Sequence, residues 1–355
     1  MIIRFRFQII SMFILIALYA ISCKPDQEPL KLPYRFDVPV LLGTHINSYE
    51  FKEVKFTLDL AVFKGDNSVN MVPDYIGLPD SSFQFNDYYF HYGTDSTLIS
   101  YQIEKVEFVD TSVYSSFSTL VLIDQSAFPE NFDTTDYYNE RFEAFNALYL
   151  NLNGEGKVAF AWFRRTGSDH DAVRYINTDF SGTWDRGTML QLLDLTHSQS
   201  GTSALFDAIE RAIFFISAKN LANPSVTVLV KNRDDGKSDI NLDNLIYLAN
   251  QNHVKINIIW LVHRWPNVDF DALRRLPYET GGFEVYMGSS YQMNSVFLRL
   301  PSLLNLKTNF YKVSVKMTSI GPSGFADTYR EGMYLNYYTS QNYKWNYIPI
   351  YLVKP

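Results

Sequence analysis

Phe117-Ser118-Thr119-Leu120-Val121-Leu122-Ile123-Asp124-Gln125-Ser126-Ala127-Phe128 is a nearly continuous apolar run that ends in three oxygen-bearing side chains. Leu120 to Ile123 are apolar at odd and even positions alike, so neither face of an extended segment would suit water. The run therefore predicts a strand buried on both faces, as in a parallel sheet covered by helices. Downstream the grammar supports this. Helical spacing appears over 136–152, with Tyr138, Phe142, Phe145, Leu148, Tyr149 and Leu152 on one face. Val158–Phe163 is a second buried strand, and 189–195 and 204–217 read as helices. Strands at 226–230, 256–261 and 283–286 then alternate with helices at 242–252, 270–276 and 290–304. Strands alternating with helices predict an α/β doubly wound sheet, Rossmann-like in plan. Ligands of such sheets bind at the carboxyl ends of the strands, where Asp124-Gln125-Ser126 falls.

On either side the period changes to two. Val54-Lys55-Phe56-Thr57-Leu58-Asp59-Leu60 and Tyr101-Gln102-Ile103-Glu104 alternate apolar and polar residues, and so does Phe310-Tyr311-Lys312-Val313-Ser314-Val315-Lys316-Met317. Alternation of this kind suits antiparallel strands with one solvated face. The expected organisation is β-sandwich strands over 34–112, the α/β domain over 115–305, and C-terminal β-strands over 306–355. The last group is expected to complete an antiparallel β-sandwich. The alternative is a separate three-stranded sheet packed on the α/β domain.

The N-terminus carries Arg4 and Arg6 before an apolar run from Ile9 to Ile21, which is too short to span a bilayer comfortably. Ala20-Ile21-Ser22 precede Cys23, the one cysteine of the 355-residue chain. This resembles a bacterial lipoprotein signal. The resemblance implies a signal peptide over 1–22, acylation of Cys23 and a polar, Pro-containing tether over 23–33. Lys24 stands where an aspartate would direct inner-membrane retention, which points to the outer membrane of a Gram-negative bacterium. Acyl chains hold a protein in proportion to their buried CH₂ groups, so the membrane is expected to be a partner through that anchor.

With 31 Lys and Arg against 38 Asp and Glu, the net charge of −7 gives no overall basic footprint for nucleic acid. One cysteine excludes an intrachain disulfide framework and a thiolate metal cluster.

Four pieces fall at strand ends in a fixed order. These are Asp124-Gln125-Ser126-Ala127-Phe128, then Ser200-Gly201-Thr202-Ser203, then Lys231-Asn232-Arg233-Asp234-Asp235-Gly236, then Thr280-Gly281-Gly282. Together they resemble the von Willebrand factor A (vWA) domain over roughly 115–305. The resemblance implies a metal-ion-dependent adhesion site, where oxygens from three loops hold Mg²⁺ and leave one position for an acidic partner. Carried over by position, Asp124, Ser126 and Thr202 match the motif. Phe128 replaces a serine and offers no oxygen. Asn232 falls where an aspartate belongs, between Lys231 and Arg233, unless the alignment slides to Asp234 or Asp235. The implied site is therefore degenerate. Its alternative is structural: Asp124 and Ser126 satisfy a loop, and Thr202 caps the helix that follows.

Ser168-Asp169-His170-Asp171 reads as a solvated loop, and His263-Arg264-Trp265-Pro266, which follows a buried strand near the expected binding edge, reads as a satisfied loop whose alternative is an aromatic and basic contact cluster. No Gly-x-Ser-x-Gly elbow, His-Glu-x-x-His helix or phosphate-binding Gly-rich loop is present. The expected function is protein–protein or adhesive interaction by a lipid-anchored envelope protein, with Mg²⁺ assisting at the degenerate site. No enzymatic activity is expected, and the protein partner is unspecified. The alternative is a metal-independent scaffold component of an envelope complex.

Overall fold

The computed structural model describes residues 38–63, 83–85, 89–92, 95–109, 116–126, 144–145, 147–148, 152, 156–165, 173–180, 201–230, 238–261, 270–287, 293–305, 310–320, 324–325, 330–339 and 342–353. The run that opened the reading is strand β6, Phe117–Asp124, and all eight of its residues are buried. It pairs in parallel with β7, Gly156–Phe163, on one side and with β9, Pro224–Val230, on the other. Strand β10, Lys255–Leu261, continues in parallel from β9, and β11, Glu284–Met287, from β10. Strand β8, Val173–Asn177, closes the other edge antiparallel to β7.

Successive side chains of a strand point to opposite faces, and β6 divides its residues accordingly. Leu120 and Leu122 enter a core with Leu205, Ile209 and Ile213 of helix α1, Leu205–Ser217, and with Leu245 of α2, Leu242–Gln251. Val121 and Ile123 enter a second core with Phe145, Leu148 and the helical residues Val296, Phe297 and Leu300. Helix α4 is Met293–Leu304, and α3 is Phe270–Thr280. The doubly wound α/β sheet expected from the sequence is thus present. Buried polar groups fix its register. The hydroxyls of Thr119 and Thr227 lie 2.8 Å apart, the Asn257 amide donates to Thr227, and the N–H of Phe283 donates to the Asn257 carbonyl.

The flanking strands depart from the expectation of a separate sandwich. Strand β1, Val38–Tyr49, pairs antiparallel with β11, matching Val40 to Val285 and Leu41 to Glu284. Beyond it follow β2, Glu53–Phe63, then β12, Phe310–Ser319, β5, Asp95–Val109, and β4, Tyr89–Tyr92. One eleven-stranded sheet, in the order β4-β5-β12-β2-β1-β11-β10-β9-β6-β7-β8, therefore runs through both regions. Strands β13, Arg330–Thr339, and β14, Asn342–Val353, join β3, Phe83–Phe85, in a second sheet. That sheet meets β1 and β5 and also α3. The flanking strands are thus divided between two sheets, and the larger is continuous with the α/β sheet.

The physical reason lies in β1. Val40 and its cross-strand neighbour Ala61 belong to the core shared with β6 and α4. Leu41 and its neighbour Leu60 belong to a third core with Phe56, Leu58, Val313 and Val315. Adjacent residues of one strand thus feed two cores, and neither can be detached from the other. The opposite face of β2 and β12 is polar, where Glu53 pairs with Lys55 and Lys316. The exposure of those pairs makes them worth little individually.

A charged group is buried at the same seam. Glu284 stands opposite Leu41, accepts a 2.6 Å hydrogen bond from the Trp260 indole N–H, and lies 3.7 Å from Arg274 Nε. All three residues are at most 4% exposed. Removing one member of a buried pair leaves the other charge unpaired, at a cost of about 3–5 kcal/mol. Glu284→Ala is expected to lower unfolding free energy by that order in a urea titration. Glu284→Gln, which keeps an acceptor for Trp260, is expected to lose less.

Candidate functional site

The chain order reverses beside β6. From it the sheet proceeds to β7 and β8 on one side and to β9, β10 and β11 on the other. The carboxyl end of β6 is therefore the topological switch point, where the loops to either side diverge and leave a crevice. Asp124 is the last residue of β6 and lies opposite Phe163 of β7. One more ladder bond follows, from the N–H of Gln125 to the carbonyl of Phe163 at 2.9 Å. The chain then turns on the Asp124 carboxyl group. Oδ1 accepts both the backbone N–H of Ser126 at 2.9 Å and its hydroxyl at 2.6 Å. Asp124 is 1% exposed and Ser126 is fully buried. A short O–H···O⁻ bond of this kind fixes the orientation of the carboxylate.

Thr202 comes to the same end of the sheet by a different device. Its N–H and carbonyl exchange 2.9 Å bonds with Arg165, two residues past the end of β7. Gly201 precedes it at φ +80, a conformation that side chains rarely adopt. The backbone of Thr202 is thus docked beside the Asp124 strand end, but Thr202 itself is exposed. The next residue, Ser203, is fully buried. The side chain of Thr202 is thus at the surface of this edge, and the hydroxyl of its neighbour Ser203 is turned into the protein. Thr202 does not occupy the cap position of α1 either. Ala204 does, and no side chain caps it.

The sequence reading also passed over Asp207, in the first turn of α1. Its Oδ1 accepts the N–H groups of Asp239 and Ile240 at 2.8 and 3.2 Å, and its own N–H donates to the Ser238 hydroxyl. This pins the segment leading into α2 against α1. Its legible signal was an acidic residue in a helix first turn, a common N-terminal feature. Nearby, Glu210 is held above the usual carboxylate range, first by burial and then by the negative charge of Asp207.

Among the described residues no group of three or more His, Cys, Asp or Glu side chains comes together, and no helix is long and apolar enough to cross a membrane. Phe128, Asn232, Asp234, Asp235 and Cys23 lie outside the described residues, as do Ser168–Asp171 and His263–Pro266.

No protein-family model matches the chain, and no curated protein matches it significantly. Solved structures give distant likenesses. A von Willebrand factor type A protein from Catenulispora acidiphila is similar at 9% identity and TM-score 0.42, over 90% of this chain and 74% of that one. The ArnB paralog VWA2 from Sulfolobus acidocaldarius is similar at 13% identity and TM-score 0.38, over 89% and 75%. The pilus adhesin SpaC from Lactobacillus rhamnosus GG is similar at 8% identity and TM-score 0.42, over 81% of this chain and 50% of the adhesin.

Two outcomes follow from the geometry. Ser126→Ala removes the hydroxyl from a buried carboxylate and should cost about 1–3 kcal/mol of stability, read by chemical denaturation. Glu210 titrates with a raised folded-state pKa, so the native state holds its proton more tightly than the unfolded chain. Its unfavourable effect is absent below the ordinary carboxylate range and appears as pH rises through it. Glu210→Gln should therefore be more stable than the wild type at neutral pH, with the difference vanishing in acid.

Proposed function

We propose that this chain is a lipid-anchored protein of the cell envelope that binds another protein at the carboxyl edge of its sheet and catalyses no reaction. The observation that supports it is the buried Asp124 carboxylate, oriented by Ser126 at the switch point of a doubly wound sheet. The family resemblance of the sequence around 115–305 favours the same edge. The Cys23 signal supports anchoring, in the outer membrane of a Gram-negative cell on the reading of Lys24.

The donors among the described residues do not by themselves make up a Mg²⁺ site. Mg²⁺ demands a near-ideal octahedron of oxygens. The described residues offer one carboxylate, whose Oδ1 already accepts two bonds from Ser126, and no cluster of acids around it. Arg164 and Arg165 follow directly on the neighbouring strand, and cations there oppose a dication. Recognition in this proposal is accordingly the work of the protein's own groups, without an ion.

Calorimetric titration of the full-length protein in detergent is expected to show no saturable uptake of Mg²⁺ or Mn²⁺ at millimolar ion. Saturable uptake lost in Asp124→Ala would restore the metal-assisted version. Capture of an envelope partner in EDTA should weaken in Asp124→Ala, and capture indifferent to that change would favour a scaffold role. Cys23→Ala is expected to move the protein from the membrane to the soluble fraction and to abolish incorporation of labelled palmitate.

A further inference from the structure

Two bulges interrupt the pairing of β1 with β2, one between Leu41 and Gly43 and one between Ile46 and Ser48. The short run between them carries His45. Bulges re-aim side chains, and the imidazole here leans across its own strand. His45 is paired with Thr57, and Gly43 with Asp59. Paired residues share a face, as do residues two apart on one strand, so all four stand on the polar face of the sheet. The ring passes close over Gly43, where a Cβ would meet its Nε2 at 3.2 Å. It thereby reaches the carboxylate beyond, with Nε2 3.1 Å from Asp59 Oδ2. The other oxygen, Oδ1, is buried and has no hydrogen-bond partner among the described residues. A buried carboxylate oxygen in that state favours a cation beside it. Lys312 faces Asp59 from β12, but its ammonium lies over the Phe310 ring at 6.0 Å. The His45 side chain is 61% exposed and that of Asp59 17%, so the pair is approached from the imidazole side.

We infer that His45 and Asp59 form a binding site for a borderline divalent cation of the Zn²⁺ class. Imidazole nitrogen and carboxylate oxygen are both ligands of such ions, at about 2.0–2.2 Å. Two atoms at that distance, about 95–110° apart as seen from the ion, are separated by about 3.1–3.4 Å. The observed 3.1 Å between Nε2 and Oδ2 lies within that span. An ion can therefore take the place of the proton between the two groups with little movement of either. That proton passes to solvent, the ring keeps its proton on Nδ1, and the Nε2 lone pair meets the ion. Water completes the coordination on the exposed side. A nitrogen ligand suits Zn²⁺, Cu²⁺ and Ni²⁺, whereas Mg²⁺ takes oxygens and water. Strands β11, β10 and β9 stand between β1 and β6, so this site is separate from the Asp124 edge and does not rest on the proposed function.

The test is calorimetric titration of the full-length protein in detergent with ZnCl₂, in a buffer free of chelators. Saturable uptake at micromolar ion is expected. Loss of an outer-shell partner alone weakens a metal site about 10–100-fold. His45→Gln and Asp59→Asn each remove a ligand, so each is expected to bind at least about tenfold more weakly. His253→Asn is the control. His253 is an exposed histidine between α2 and β10, and asparagine tolerates its φ of +55. That variant is expected to bind as the wild type does. Thermal melting without metal checks the fold of each variant, and if Asp59→Asn does not fold, His45→Gln alone carries the comparison. Added Zn²⁺ is expected to raise the Tm of the wild type by more than that of His45→Gln. The inference is overturned by no saturable uptake of Zn²⁺, by uptake unchanged in His45→Gln, by equal loss in His253→Asn, or by Mg²⁺ binding as tightly as Zn²⁺. Partner capture through Asp124 is measured in EDTA, so none of these results bears on the proposed function.

Discussion

Burial of β6 on both faces is the constraint on which the rest depends. A strand with Leu120 and Leu122 on one side and Val121 and Ile123 on the other cannot lie at a surface. It needs hydrogen-bonding neighbours on both edges and helices over both faces, and β7, β9, α1 and α4 supply them. With β6 fixed between β7 and β9, the polar residues that end it emerge at the switch point and nowhere else. The 2.6 Å bond between Ser126 and Asp124 is thus a consequence of core packing as much as of the turn itself.

The same logic explains why the protein is not a sandwich joined to an α/β domain. A sheet of this kind would leave β11 as an edge, and an unpaired edge is a template for other chains. Strand β1 covers it, and the pleat of β1 sends Val40 and Leu41 into different cores. The buried Trp260–Glu284–Arg274 group sits at this join. Such a group adds little net stability, but a misplaced register would leave its charges unpaired. That makes the join specific.

At the carboxyl edge the described residues hold one buried carboxylate and no group of acids around it. That carboxylate is oriented by its own loop, and Arg164 and Arg165 follow the end of the neighbouring strand β7.

Much of this was legible in the residues. Unbroken apolar runs marked the parallel strands, the 3.6-residue period marked the helices, and both signals are local because they reflect burial of a face. Asp124 and Ser126 were legible because a strand end fixes which residue emerges. The exposure of Thr202 beside a buried Ser203 was not legible, for the corresponding reason. Thr202 lies in a loop, and a loop has no period to say which of two adjacent hydroxyls points inward. The bridge to Arg165 turns Thr202 outward and Ser203 inward, a contact across 37 residues that no local pattern encodes. The pairing of β1 with β11 is likewise a match between residues more than two hundred positions apart. The sequence by itself determined which segments are strands and helices and which faces are apolar. Only the tertiary structure decided which edges meet and which side chains share a corner, because those choices are made by long-range packing and not by any residue's own preference.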